Sequence, residues 1–187
     1  MKVFEYKNYN EYVESQKEAN EHKQHMSFVD KKTIKKIFDI CGPKIQNVLC
    51  HGTRRGQEQE YFKYYYPKAE VIGSEIGISS WPMTVQHDFN EIREEWIDKF
   101  DIIYSNSIDH AYDIENTITI WSNQLCDKGR MFIEKSVKLN SRAWDPVEIS
   151  DSEMIELIKK LGLKMFDRFG SSGLGGREKT IVYGVTK

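Results

Sequence analysis

Cysteine is scarce in this chain. The three present, Cys41, Cys50 and Cys126, are odd in number and show no CxxC spacing. That pattern argues against a disulfide framework or a cysteine zinc site and suits free thiols in a reducing compartment. Long apolar runs are missing as well: none approaches the ~18–20 residues needed to span a bilayer. The N-terminal stretch MKVFEYKNYNEYVES is too polar for a secretory signal. The cytoplasm is the expected compartment. An excess of one charge is also lacking. With a net charge of −2 over 187 residues, nothing global attracts nucleic acid. No internal repeat and no low-complexity linker breaks the chain.

What is present is an ordinary globular balance, 39% hydrophobic and 30% charged, in a length that suits one domain with a substantial core. Residues 8–24 are polar and rich in helix formers, with a thin apolar set (Tyr9, Tyr12, Val13). They read as a loosely packed helix lying across a site. Asp30 caps a clearer helix with Ile34, Ile37, Phe38 and Cys41 on one face, ended by Gly42-Pro43. Residues 1–43 are thus expected to form a helical cap on a core spanning 44–187.

In the core, strands and helices alternate. Strands are expected at 45–50, 70–75, 84–87, 100–105 and 130–136, the last entered through the turn Asp127-Lys128-Gly129. Helices are expected at 57–66, with Glu58, Tyr61, Phe62 and Tyr65 at i, i+3, i+4, i+7, briefly at 90–96, and from the Asp113 cap onward. Ser150 and Glu153 form a capping box before a further helix that Gly162 closes. Strands at 163–169 and 180–186 follow, joined by a segment too short for a parallel crossover. They read as an antiparallel hairpin. Alternation up to that point implies a mainly parallel sheet covered on both faces.

In such sheets the ligand sits beyond the carboxyl ends of the strands. The segment NVLCHGTRRG there reads as a buried strand, a glycine turn and a helix start, and the next strand ends in the acid of VIGSEIG, Glu75. Gly52 and Gly56 let the backbone turn sharply and approach a ligand. Glu75 can accept two hydrogen bonds from ribose hydroxyls. Asp88 can accept from an exocyclic amine, and Ile76 or Phe89 can cover a purine face. Arg54 and Arg55 stand where a glycine loop would continue and suit an anion, either a carboxylate or a pyrophosphate.

Residues 44–187 resemble the class I S-adenosylmethionine-dependent methyltransferases. The family's acid-x-Gly-x-Gly-x-Gly turn is matched by Cys50-His51-Gly52-Thr53-Arg54-Arg55-Gly56, with Cys50 in place of the acid and Arg54 in place of the middle glycine. Glu75 matches the family's ribose acid and Ile76 its adenine contact. Asp88, in VQHDFNE with Phe89 beside it, matches the acid for the adenine amino group, and FDIIYSNS matches the fourth strand. The resemblance implies an α/β, Rossmann-like, seven-stranded and mostly parallel sheet of order 3-2-1-4-5-7-6 with strand 7 antiparallel. It implies methyl transfer with S-adenosylmethionine as donor and S-adenosylhomocysteine as product. Cofactor contacts are expected from His51, Gly52, Thr53, Arg54, Gly56, Glu75, Ile76, Asp88, Phe89, Ser105 and Asn106.

After the fourth strand, SNSIDHAYD supplies His110 as the side chain best suited to accept a proton at neutral pH, with Asp109 able to bind a metal or orient a substrate. An Asn/Asp-Pro-Pro-Tyr motif, common in family members that methylate nucleic-acid bases or glutamine amides, is missing. A small or medium-sized acceptor, methylated at oxygen, is the expectation, and no metal is assigned. Glu134 and Lys135 read as a salt-bridged sheet edge, His22, Lys23 and His25 as a solvated helix face. The segments 138–149 and 171–177 read as acceptor-side lids. Two alternatives stay open: a catalytically degenerate cofactor-binding or scaffold protein, and an NAD(P)-binding oxidoreductase, although the latter's Gly-x-Gly-x-x-Gly fingerprint is absent.

Overall fold

The structure is a computed structural model and describes residues 1–79, 81–137, 140–173 and 178–187. In chain order the elements are β1 (Lys2–Val3), α1 (Tyr9–His22), α2 (Lys31–Cys41), β2 (Asn47–His51), α3 (Gln57–Tyr65), β3 (Glu70–Glu75) and β4 (Thr84–Gln86). Then come β5 (Phe100–Ser105), α4 (Ile114–Gln124), β6 (Leu125–Ser136), β7 (Val147–Glu148), α5 (Asp151–Lys160), β8 (Lys164–Gly173) and β9 (Glu178–Thr186). No helix among the described residues is long and apolar enough to cross a membrane.

Seven strands form one sheet of order β4-β3-β2-β5-β6-β9-β8. All neighbours from β4 to β6 run parallel, and β9 lies antiparallel between β6 and β8. This is the expected order, with the antiparallel final strand in its expected place. The continuous apolar runs follow from burial on both faces. Leu49, Ile103, Met131 and Ile133 face Ile118, Trp121, Met154 and Ile158 of α4 and α5. Val48, Ile102, Tyr104 and Phe132 face Ile34 and Ile37 of α2 and Phe62 of α3. The capping box of Ser150 and Glu153 starts α5 as the sequence indicates.

Three details differ from the expectation. First, β6 begins at Leu125, opposite Phe100, and the register then jumps so that Ile102 faces Arg130. The intervening residues form a bulge within the strand, not a turn before it. Lys128 there takes φ 65, and a Cβ on Gly129 would come within 2.7 Å of the Phe100 carbonyl oxygen. Second, the 90–96 segment yields only a single 3-10 turn, Glu94–Trp96. Asn90 is engaged instead by Asp88, Tyr12, Tyr112 and Thr117. Third, β1 pairs antiparallel with β7, Lys2 opposite Glu148, which ties the N-terminus to the segment before α5.

That tie places α1 over the carboxyl ends of the sheet strands. The Ala143 carbonyl accepts from Tyr6, Ser15 and Gln16, and the Tyr12 hydroxyl donates to the His110 carbonyl at 3.1 Å. Within the two segments read as lids, Lys138, Leu139 and residues 174–177 lie outside the described residues.

Candidate functional site

The site starts from the backbone of the loop after β2. Gly52 takes φ 68, its N–H donates to the Ser74 carbonyl at 2.9 Å, and a Cβ there would meet Ser107 at 2.7 Å. Gly56 takes φ 71, and the Trp81 ring lies where its Cβ would be. Between them Arg54 takes φ 44, a left-handed conformation that costs a non-glycine residue roughly 1–2 kcal/mol. Its N–H donates to Glu75 Oε2 at 2.7 Å, a charge-assisted bond that offsets the strain. The other oxygen, Oε1, accepts from the Gly77 N–H at 3.2 Å. The loop therefore keeps its glycine-like path with an arginine in it.

Beyond this loop lies a cavity of about 930 Å³ at the strand ends, bordered by Arg54, Glu58, Asn106, His110, Lys135 and Trp144 among others. Two residues of opposite charge on its border each have a buried side-chain atom without a hydrogen-bond partner: Arg54 Nε and Glu58 Oε2. The buried hydroxyl of Thr53 is unpartnered too. Glu58 is 6% exposed, and its Oε1 accepts from Asn106 Nδ2 at 3.2 Å. Burial pushes the Glu58 carboxyl up to about 7, against a smaller opposing pull from Arg54 and Asn106. Burial likewise lowers the Arg54 pKa, resisted by Glu75 and Glu58.

A narrow cleft of about 40 Å³ adjoins this cavity. Glu75, Ile76, Asp88 and Phe89 line one side, and Tyr12, Gln16, Ala19 and Asn20 of α1 roof it. Asp88 accepts from the Tyr9 hydroxyl at 2.7 Å and from the Asn90 backbone and side chain at 2.9 and 2.6 Å.

His110 ends the single 3-10 turn Ile108–His110 after β5. Gln16 Nε2 donates to the Ala143 carbonyl at 3.2 Å, which turns Gln16 Oε1 toward His110 Nδ1 at 2.7 Å. Nδ1 therefore carries the proton and Nε2 keeps its lone pair, 3.6 Å from Asp145 Oδ1. Burial and the nearby Lys23 hold the imidazole neutral, well below its ordinary pKa, although Asp145 opposes them. Asp145 sits below the usual carboxylate range despite its burial, because Lys23 at 3.0 Å and Arg142 surround it. Asp109, His110 and Asp145 present ligand atoms within 4.8 Å of one another. With Lys23 and Arg142 already on Asp145, that set carries no metal assignment.

No family model matches the chain, and no curated protein matches it by sequence. Solved structures do match. One is the Burkholderia thailandensis 1,6-didemethyltoxoflavin-N1-methyltransferase, with bound 1,6-didemethyltoxoflavin and S-adenosylhomocysteine. It superposes with TM-score 0.80 at 14% identity over 98% of this chain and 92% of its own. A Leishmania major SAM-dependent methyltransferase gives 0.69 at 11% identity over 94% and 83%, and one from Aquifex aeolicus 0.64 at 14% over 85% and 100%. The fold is that of the S-adenosylmethionine-dependent methyltransferases.

Within this methyltransferase fold the expected residues separate into groups. Gly52, Thr53, Arg54, Asn106, Asp109 and His110 border the large cavity, and Glu75, Ile76, Asp88 and Phe89 gather at the cleft. Gly56 shapes the loop from beneath Trp81.

Two of the residues expected at the cofactor turn their side chains inward. The His51 side chain is drawn into the core, 1% exposed, between Ser74 Oγ at 2.7 Å and Gln124 Oε1 at 2.8 Å. It stacks on Trp121 at 4.8 Å, and burial lowers its pKa to about 3. Ser105 is also internal: its hydroxyl donates to the His51 carbonyl and accepts from the Ser107 N–H. Both follow from strand alternation, which turns these paired side chains into the interior. The reading of Lys23 as solvated is corrected, since it is paired with Asp145, while His22 sits 5.0 Å from the Trp144 ring. Glu134 and Lys135 lie on the interior strand β6, both buried, and not on an edge.

Sequence reasoning gave Glu58 only a place in a helical stripe and Asp145 only a place in the 138–149 lid. A carboxylate on the same helical stripe as Phe62 was the available signal for Glu58, and nothing local marked Asp145. Because His51 joins three buried groups, His51→Ala should lower unfolding free energy by on the order of 3 kcal/mol in urea denaturation. A side chain serving only as a ligand contact would leave the transition where it was.

Proposed function

We propose that the protein is a methyltransferase that binds S-adenosylmethionine and transfers its methyl group to a small-molecule acceptor, at oxygen. Residues 44–187 form the catalytic core in this reading and residues 1–43 its cap. One observation carries the proposal: Arg54 and Glu58, of opposite charge and each with one buried side-chain atom lacking a hydrogen-bond partner, border one cavity beside the strand-end acid Glu75. An α-amino acid tail is a zwitterion and complements that pair, its carboxylate toward Arg54 and its ammonium toward Glu58. Glu75 suits ribose hydroxyls, and Ile76, Phe89 and Asp88 suit the adenine ring and its amino group. The expected contacts at Gly52, Thr53 and Asn106 border the same space. A pyrophosphate fits less well, because the unpartnered Glu58 oxygen at the start of α3 would repel it.

When bound, S-adenosylmethionine supplies a methyl group already activated for displacement, so the chain mainly has to align the acceptor. His110 is placed to take the acceptor's proton at Nε2, and Asp145 at 3.6 Å stabilises the imidazolium that results. Gln16 holds the ring in the tautomer this requires. Asp109, next in sequence and on the same cavity, orients the acceptor.

The Glu58 pairing sets a pH dependence. Its folded pKa, about 7, lies above the unfolded value, so ionisation costs the empty protein stability as pH rises through that range. The cofactor's ammonium needs the ionised form. Calorimetric titration with S-adenosylhomocysteine should therefore show affinity rising about tenfold per pH unit below about pH 7 and levelling above it. In Glu58→Gln the profile should be flat and the affinity lower at pH 8, while the melting temperature of the empty protein rises. A wild-type profile without that limb would remove Glu58 from the site. Glu75→Ala should weaken the same ligand on the order of 100-fold, from two lost bonds to a charged acceptor. His110→Ala should slow radiolabelled methyl transfer to a panel of aromatic hydroxy acids by about 10²–10⁴-fold with cofactor affinity unchanged. Cofactor binding without any transfer would favour the catalytically degenerate alternative.

A further inference from the structure

We propose that the acceptor end of the cavity binds a planar aromatic molecule bearing an anionic group, with the Lys135 ammonium as its counter-ion and the Trp144 ring as its wall. The term acceptor rests on the methyl-transfer reading; the binding site itself does not.

Lys135 lies near the carboxyl end of β6, is 4% exposed, and borders the large cavity. Its Nζ donates to the Ser136 carbonyl at 3.0 Å, one acceptor for a group that carries three donors. Among the described residues no carboxylate forms an ion pair with it; Asp151 and Asp109 act on it only at longer range. Burial pushes its pKa down, as expected for an ammonium drawn out of water without a close counter-charge. A structural lysine on an interior strand would gain from a paired carboxylate, and the carboxylate next to it in sequence is engaged elsewhere. Glu134 also borders the cavity, but its oxygens accept from Tyr104 and Thr180 instead of pairing with Lys135, and burial raises its pKa.

The remaining charges at this end do not supply the missing anion. Asp145 is already matched by Lys23 and Arg142. Lys179 borders the same space and adds a further positive charge. Basic residues bordering the cavity outnumber the acidic ones, which include Asp109 and Glu134, so an anion is preferred over a neutral or cationic guest. The apolar part is aromatic. Trp144 borders the cavity half-buried, with the His22 ring at 5.0 Å and Lys23 Nζ 5.9 Å from its ring centre. An indole face offers a flat guest area at little conformational cost.

The comparison that tests this uses two fluorescent probes of matched shape, 8-anilinonaphthalene-1-sulfonate and the uncharged N-phenyl-1-naphthylamine. They are titrated into the full-length protein, with S-adenosylhomocysteine titrated in parallel by calorimetry. The wild type should bind the sulfonate at one site about tenfold or more tightly than the neutral probe. Lys135→Met should abolish that preference by weakening the sulfonate alone, and Lys135→Arg should restore it. Trp144→Ala should weaken both probes. Equal affinity for the two probes, no sulfonate binding, or a preference that survives Lys135→Met overturns the proposal. So does a Lys135→Met protein that loses S-adenosylhomocysteine, since Lys135 would then belong to the cofactor's carboxylate. If S-adenosylhomocysteine fails to bind the wild type, the cofactor reading falls while the probe comparison still decides the anion site.

Discussion

The bond from the Arg54 N–H to the Glu75 carboxylate is the constraint on which the site depends. It joins the loop after β2 to the end of β3 and holds Arg54 in a left-handed turn that an arginine would not choose on its own. With that turn fixed, Gly56 can lie under Trp81 and α3 can start where it does. The start of α3 in turn places Glu58 in the first helical turn, against Asn106 from the end of β5. A side-chain carboxylate thus supplies the loop geometry that a run of glycines would otherwise provide. The substitution of arginine for glycine changes what the loop presents to the cavity more than it changes the path of the chain.

A second constraint runs through α1. Its Tyr9 reaches Asp88 on one side, and its Gln16 reaches His110 on the other, so one helix touches both the cleft and the larger cavity. The Ala143 carbonyl, with three donors from residues 6–16, and the β1–β7 pairing hold that helix in place. The residues that set the His110 tautomer therefore come from outside the sheet. In this fold the cap and the strand ends are parts of a single site.

The sheet was legible in the sequence because burial on both faces forces uninterrupted apolar runs, and the alternation of helix and strand periods fixes the connections. Glu75, Ile76, Asp88 and Phe89 gather at the cleft for a related reason: they lie at or shortly beyond the ends of β3 and β4, where backbone geometry brings them together. The inward direction of the His51 side chain was not legible, because position in the turn says nothing about which way a side chain points, and strand alternation turned it into the core. Asp145 and Lys23 were out of reach, since their pairing joins residues far apart in sequence through a loop and a helix end with no periodic signal. The bulge in β6 hid in the same way. Asp127-Lys128-Gly129 has turn chemistry, and only the partner strand reveals that the ladder resumes on both sides of it.

Arg54 and Glu58 could have been expected to neutralise each other, since they border the same cavity, yet no ion pair forms between them. The Arg54 guanidinium is held 5.2 Å from the centre of the Phe28 ring, and Glu58 is held by Asn106. Packing keeps the charges apart and leaves an atom of each without a partner. Lys135 is a third buried charge without a close counter-ion among the described residues. Such groups destabilise an empty protein, since a buried charge costs several kcal/mol that solvent no longer returns. They become favourable when a guest brings the complementary set: a separated negative and positive charge near the loop after β2, and one further negative charge near β6. On the proposed reading these unpaired charges describe the charge pattern of the guest, more specifically than any single motif does.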